Sequence, residues 1–230
     1  MTQRRALIVR GGWPGHDPVG ATDLFRPFLE ASGFAVRVED SPAPYADAEA
    51  MAATDLVVQC ISMGEITDEQ VEGLRTAVAN GTGLAGWHGG IADSFRASAD
   101  YLQLVGGQFA AHPPREDGQG DAVRYRVAMT DLGRTHPITT GIEDFELETE
   151  QYWVLSDPLN DVLATTTHAA RPDQPWHRPI TVPAVWTREW GAGRVFVATP
   201  GHDLDVLRDE AVRTIIERGL LWAARGEDAA

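Results

Sequence analysis

The stretch Gly83-Leu84-Ala85-Gly86-Trp87-His88-Gly89-Gly90-Ile91-Ala92-Asp93 decides the fold. Gly83 to Trp87 is a short apolar run that reads as a strand, and a helix is expected to start beyond it, so His88 falls on the sharp turn between them. Glycine on either side lets the backbone turn and brings N–H groups close to a bound oxygen, a carbonyl or anion site at a helix N-terminus. Strand, elbow and helix in that order belong to open α/β sheets, where ligands collect outside the carboxyl ends of the strands.

Upstream of the elbow the same grammar repeats. ALIVR reads as the first strand and runs into the turn-rich GGWPGHDPVG; Leu24, Phe28 and Leu29 then recur at helical spacing up to Gly33. FAVRVED alternates like a strand, and the nearly continuous apolar run DLVVQCIS suits a strand buried on both faces. Thr67 and Gln70 form a capping-box pair ahead of the stripe Val71, Leu74 and Val78, with Asn80 and Gly81 ending that helix. The first half therefore reads β-α-β-β-α-β, or β-α-β-α-β-α-β if residues 46 to 53 are helical, and predicts a mostly parallel, doubly wound sheet.

Downstream, residues 107 to 121 form a polar, Gly- and Pro-rich stretch that reads as a site loop or lid. Strands are expected at AVRYRVAM, QYWVL, DVLATTT, VPAVWTR and RVFVATP, and Leu207, Ala211, Ile215 and Trp222 mark one long C-terminal helix. No repeat or linker divides the chain, and 230 residues suffice for one core, so a single domain spanning 1–230 is expected.

Composition excludes whole classes of function. A net charge of -15 repels phosphate backbones and anionic lipid, so neither nucleic acid nor a membrane surface is an expected partner. All 19 basic residues are arginine, which rules out lysine Schiff-base chemistry, PLP anchoring and a lysine-dependent phosphate loop. Nothing indicates flavin or NAD. With Cys60 the only cysteine, no intrachain disulfide and no thiolate cluster can form. Ala6 to Val9 is too short for a signal-peptide core, and a cytoplasmic protein is expected.

The candidate chemistry lies in histidines expected at one sheet edge: His16 after the first strand, His88 at the elbow, His112 in the long loop and His202 after RVFVATP. Glu150 and Tyr152 lie in ETEQY. Two readings stay open. Convergence would let neutral imidazoles, His16 and His112 foremost, with His88, His202 or Glu150, bind one divalent metal, zinc most plausibly. Dispersal would leave them lining a sugar pocket, with His88, His202 and Glu150 as acid–base residues. Trp13, Trp87, Gly89, Gly90, Asp93 and Tyr152 are the substrate-binding candidates, Asp93 with the alternative of a helix-dipole or Arg96 ion-pair role. His136 reads as a turn residue, and His168 and His177 receive no role.

The motifs GGWPGH, GWHGGIADSF, GGQFAAHP, THPITTGIEDF with ETEQY, and PAVWTREWGAGRVFVATPGH together resemble the ThuA-like family, named for trehalose utilisation, over almost the whole chain. The resemblance implies a flavodoxin-like, class I glutamine amidotransferase-like three-layer sandwich. Amidotransferase relatives carry cysteine at the elbow, where this chain has His88, so glutamine hydrolysis is not expected, and Cys60, ending a buried strand, does not replace it. The implied substrate is a sugar or 3-keto sugar, converted by isomerisation, epimerisation, elimination or hydrolysis. The alternatives are a non-catalytic sugar-binding or regulatory module and a metal-dependent hydrolase of another small molecule. A homo-oligomer is compatible with either.

Overall fold

The computed structural model describes residues 3–113, 122–172 and 174–226. The N-terminal half alternates as its sequence predicts: β1 (Arg4–Gly12), α1 (Pro18–Ala31), β2 (Phe34–Glu39), α2 (Ala48–Ala52), β3 (Leu56–Ser62), α3 (Asp68–Ala79), β4 (Gly83–Trp87) and α4 (Gly89–Ala92). Residues 46 to 53 do contribute a helix, α2. The Thr67 cap of α3 is a full capping box: the Gln70 N–H donates to Thr67 Oγ1 at 3.2 Å, and the Thr67 N–H donates to Gln70 Oε1 at 3.0 Å.

Beyond α4 come α5 (Ala99–Val105), β5 (Gly107–Ala111), β6 (Ala122–Met129), β7 (Phe145–Glu150), β8 (Trp153–Ser156), β9 (Asp161–His168), β10 (Ile180–Trp190) and β11 (Gly193–Ala198). Two helices, α6 (Leu204–Arg208) and α7 (Glu210–Ala223), finish the chain. The large sheet has the order β2-β1-β3-β4-β11-β10-β9-β6-β7, and β5 pairs with β8 in a small second sheet. The five strands from β2 to β11 run parallel, and each pairing from β11 to β7 is antiparallel. The parallel half matches the expected flavodoxin-like layering, while the second half makes the sheet mixed.

Buried side chains fill both faces of the sheet. Phe25, Leu29, Val58, Trp87, Phe196 and Ile216 belong to one core; Val9, Leu74, Leu84, Ile91, Trp186 and Val197 belong to the other. Strand β3 is buried at every position, as its unbroken apolar run requires in a sheet covered on two sides.

Three sequence expectations are corrected. Residues 107–111, read as loop, form β5, and residues 114–121 lie outside the described residues. FELETE is a strand in its own right: its outward glutamates hide the apolar alternation of Leu147 and Thr149, and Arg124 of β6 pairs with Glu146 across the hairpin. The single C-terminal helix is two, because Asp209 leaves helical geometry (φ -53°, ψ 134°) and caps α7 by accepting from the Ala211 and Val212 N–H groups.

Candidate functional site

The site is assembled from strand ends, and glycines allow the approach. β1 ends on Gly12 (φ +78°), where a Cβ would lie 2.0 Å from the Ser62 carbonyl oxygen, so only glycine lets the two strand ends meet. The Trp13 N–H then donates to that carbonyl at 3.2 Å, and a 3-10 turn, Pro14–His16, brings His16 over β3. Ser62 Oγ meets His16 Nδ1 at 2.6 Å. Gly89 completes the fit, since a Cβ there would stand 2.3 Å from His16 Cε1.

His88 occupies the elbow with φ 48° and ψ -141°, a conformation that costs a non-glycine residue about 1–3 kcal/mol and persists where the surroundings enforce it. Those surroundings are specific. Its N–H donates to the Ala198 carbonyl at 2.7 Å, and its ring Nδ1 lies 2.8 Å from the Thr199 carbonyl oxygen. A carbonyl only accepts, so Nδ1 carries the hydrogen and Nε2 is the nitrogen presented to the site.

Glu150 ends β7, four strand steps from β11. In a flat sheet that offset is about 19 Å at about 4.8 Å per step. The gap is closed because β6 pairs with β9 only through Ala128 and Met129, so the β6–β7 hairpin leaves the sheet plane and returns over its carboxyl edge. Glu150 Oε2 thereby reaches 3.2 Å from His88 Nε2, 3.2 Å from His202 Nδ1 and 3.6 Å from His112 Nε2. The Tyr152 hydroxyl lies 2.9 Å from His88 Nε2.

One donor atom from each of His16, His88, Glu150 and His202 lies within 4.8 Å of the other three. His88 and Glu150 are buried, and His16 and His202 are half-buried. A tetrahedral ion with bonds of about 2.0–2.1 Å sets its ligands about 3.3 Å apart, close to both separations that centre on Glu150 Oε2. The donor chemistry fits too: the lone pair of His88 Nε2 faces a carboxylate, an opposition that a cation or proton between them relieves. His202 Nδ1 is buried and lies 3.2 Å from the carboxylate without a hydrogen bond of regular geometry, a second donor atom open to an ion. Three imidazoles and a carboxylate suit zinc or another divalent first-row ion.

Burial, and then the repulsion of His88 and His202, pushes the His16 pKa down to about 3. Burial likewise lowers that of His88 against the opposing pull of Glu150. For Glu150, burial favours the neutral acid, but contacts with His202 and His88 outweigh it and hold the carboxyl well below its usual range. The same carboxylate raises the His202 pKa despite burial. Burial raises that of Tyr152, which stays a protonated donor at neutral pH.

A stability prediction follows from these directions. The unfolded chain protonates His16 and His88 near pH 6.5 whereas the folded chain does not, so their contribution falls as pH drops below about 6.5. The depressed Glu150 acts in the same direction below its unfolded value of 4.5, and the raised His202 opposes in part. The limiting slope is about 1.4 kcal/mol per pH unit per histidine, less for the half-exposed His16. Melting temperature is expected to fall from pH 7.5 to pH 5, and less steeply in His16→Gln; equal slopes in the two proteins would contradict it.

The structure brings together His16, His88, His202, Glu150 and Tyr152. His112 stands beside the four-residue group rather than in it, reaching Glu150 at 3.6 Å, which corrects its place as a leading ligand. Trp13, 42% exposed, meets His16 edge-on at 4.6 Å and forms part of the rim. Trp87 is corrected: 2% exposed, it packs on Phe25 beneath the site and cannot touch a ligand there. Gly90 is corrected as well, because the space a Cβ would take is bounded by Cys60 on β3, so this glycine serves packing. Asp93 is 2% exposed and held by both Arg96 Nε (2.5 Å) and Nη2 (2.8 Å), the ion-pair alternative. Sequence reasoning passed over Ser62 and Thr199, which orient the histidines; the only signal was that each ends a strand beside a predicted turn.

The ThuA family, described as trehalose utilisation, matches residues 5–223. No curated protein matches. A ThuA-like protein from Bacteroides uniformis superposes with a TM-score of 0.74 at 16% identity, covering 96% of this chain and 91% of that one. One from Parabacteroides merdae gives 0.71 at 18%, covering 96% and 90%. Part of a β-galactosidase from Bacillus circulans sp. alkalophilus shares the fold at 0.53 and 9% identity, over 96% of this chain and 30% of that one. With the family matched across nearly its whole length and this layering of helices on a mixed sheet, the chain belongs to the ThuA family.

Proposed function

We propose that this protein is an enzyme of carbohydrate breakdown that performs acid–base chemistry on a keto sugar at the His16, His88, Glu150 and His202 centre, with one divalent ion, zinc foremost, held by those four residues. The observation that carries the proposal is the mutual approach of four donor atoms to within 4.8 Å, at the sheet edge where ligands of such folds collect. The family's tie to trehalose utilisation supports a sugar as substrate. An ion held there would, with a coordination position left for substrate, supply Lewis-acid polarisation of a carbonyl oxygen.

The remaining chemistry belongs to the chain. A ketone acidifies its neighbouring C–H bond; a base takes that proton, the electron pair moves into a new C=C bond, and the carbonyl oxygen becomes an enediolate oxygen. Tyr152, kept protonated by burial, is placed to donate a hydrogen bond to that oxygen. His112, next to Glu150 but outside the four-residue group, is placed to carry the proton. Return of the proton to another carbon gives isomerisation, return to the other face gives epimerisation, and departure of a β-oxygen gives elimination.

The test is product formation by NMR from 3-keto mono- and disaccharides, with and without chelator. Turnover that chelator removes and a divalent ion restores is expected; saturable binding with no chemical change would make the protein a sugar-binding module instead. No helix among the described residues is long and apolar enough to cross a membrane. A cytoplasmic setting and small-molecule partners are part of the same proposal.

A further inference from the structure

On the other side of the segment that carries Glu150 and Tyr152 lies a second cavity of about 400 Å³, within the range of small-molecule sites. The two sites share a backbone. Glu150 and Tyr152 turn toward His88, while Gln151 between them lines the cavity; Pro113, next to His112, lines it as well.

The wall combines a spare amide acceptor with an aromatic ring. His168 is 3% exposed, and its Nε2 lies 3.1 Å from the Tyr152 carbonyl oxygen. The carbonyl only accepts, so Nδ1 holds a lone pair, and this buried atom has no hydrogen-bond partner among the described residues. That atom is closed off from the cavity, so His168 serves as wall. Gln151, 4% exposed, spends its amide N–H groups on Thr166 Oγ1 (2.7 Å) and the Thr167 carbonyl (3.2 Å), leaving its oxygen as acceptor. Trp176 lines the same cavity, anchored by an Nε1–H bond of 3.1 Å to the Ala169 carbonyl and an edge contact of 5.0 Å with Trp153. Of the cavity's arginines, Arg124 and Arg126 are paired with Glu146 and Asp144, and Arg171 is also engaged, so the wall does not select an anion.

We infer that this cavity is a second saccharide site that takes a neutral, hydroxyl-rich ring, its C–H face on Trp176 and a hydroxyl donating to the Gln151 amide oxygen. Resting on the reading of the histidine centre as a keto-sugar site, it adds a place for a further neutral sugar on the opposite side of the Glu150–Tyr152 segment.

The test is titration of the full chain with trehalose, maltose and methyl glucoside, followed by tryptophan fluorescence and saturation-transfer NMR. At least one probe is expected to bind saturably. Trp176→Ala is expected to weaken it about tenfold, with Trp176→Phe in between. Ala128→Trp, which fills the cavity from a half-exposed strand position, should block binding without touching Trp176 or its anchors. No saturable binding of any probe, or equal affinity in wild type, Trp176→Ala and Ala128→Trp, overturns the inference. The two readings fail separately: cavity-dependent binding without turnover of any keto sugar sinks the catalytic reading alone, and turnover with no probe bound at the cavity sinks this one alone.

Discussion

His88→Ala is expected to lower turnover of the keto-sugar substrate by at least about 10³-fold, within the span that one placed acid–base or charge-stabilising group contributes. The ring meets Glu150 and Tyr152 through Nε2 and Thr199 through Nδ1, so one truncation removes the side-chain bonds that join the elbow to the β6–β7 hairpin and to Thr199, and leaves the backbone bond to Ala198 in place. The folded state also suffers, since the Thr199 carbonyl loses a partner and Glu150 loses its buried neighbour, a cost of about 1–3 kcal/mol for each group left unsatisfied. Fold and chemistry are separable with His88→Gly. Glycine accepts φ 48° without strain, so this variant is expected to be more stable than His88→Ala by about 1 kcal/mol and equally inactive. A thermal melt beside an activity assay reads both; activity in either variant within tenfold of wild type would remove His88 from the mechanism.

Gly89→Ala is expected to damage the site while sparing the fold. Gly89 does not need positive φ, and alanine is the better helix residue, so the backbone has no objection. The objection comes from His16: the new methyl would lie 2.3 Å from Cε1, 2.6 Å from Nδ1 and 3.0 Å from Ser62 Oγ. Ser62 ends a buried strand and cannot move cheaply, whereas His16 stands half-buried on a short turn and will swing out. One donor leaves the four-residue group. Even an outer partner of a metal ligand costs 10–100-fold in affinity, so zinc binding is expected to weaken by about 100-fold or more while the melting temperature stays within a few degrees. Zinc affinity equal to wild type would show that His16 is not a ligand.

The parallel half of the fold was legible because each element carries its own local signal: the apolar run of β3, the capping box of α3, and glycines flanking β4. The antiparallel half was harder to read. Leu147 and Thr149 of β7 alternate with glutamates whose partners, such as Arg124, are supplied by another strand, and the break before α7 depends on one aspartate cap. The site was legible as a set of strand-end histidines, since the carboxyl edge of a parallel sheet gathers whatever follows its strands. Glu150 came from a family motif rather than from strand order, because its approach depends on the β6–β7 hairpin curling back. Trp87 was misplaced for a simpler reason. A strand's side chains alternate between faces, and the elbow sends His88 toward the site while the residue before it points into the core.

The proposed chemistry requires four donor groups from separate strand ends to act as one centre. Zinc titration of chelator-treated protein by calorimetry, in wild type, Glu150→Gln and His202→Ala, addresses that directly. One equivalent per chain, with affinity falling by tenfold or more in each variant, is the predicted result. Zinc that does not bind, or that binds with the same affinity when Glu150 or His202 is replaced, would contradict it.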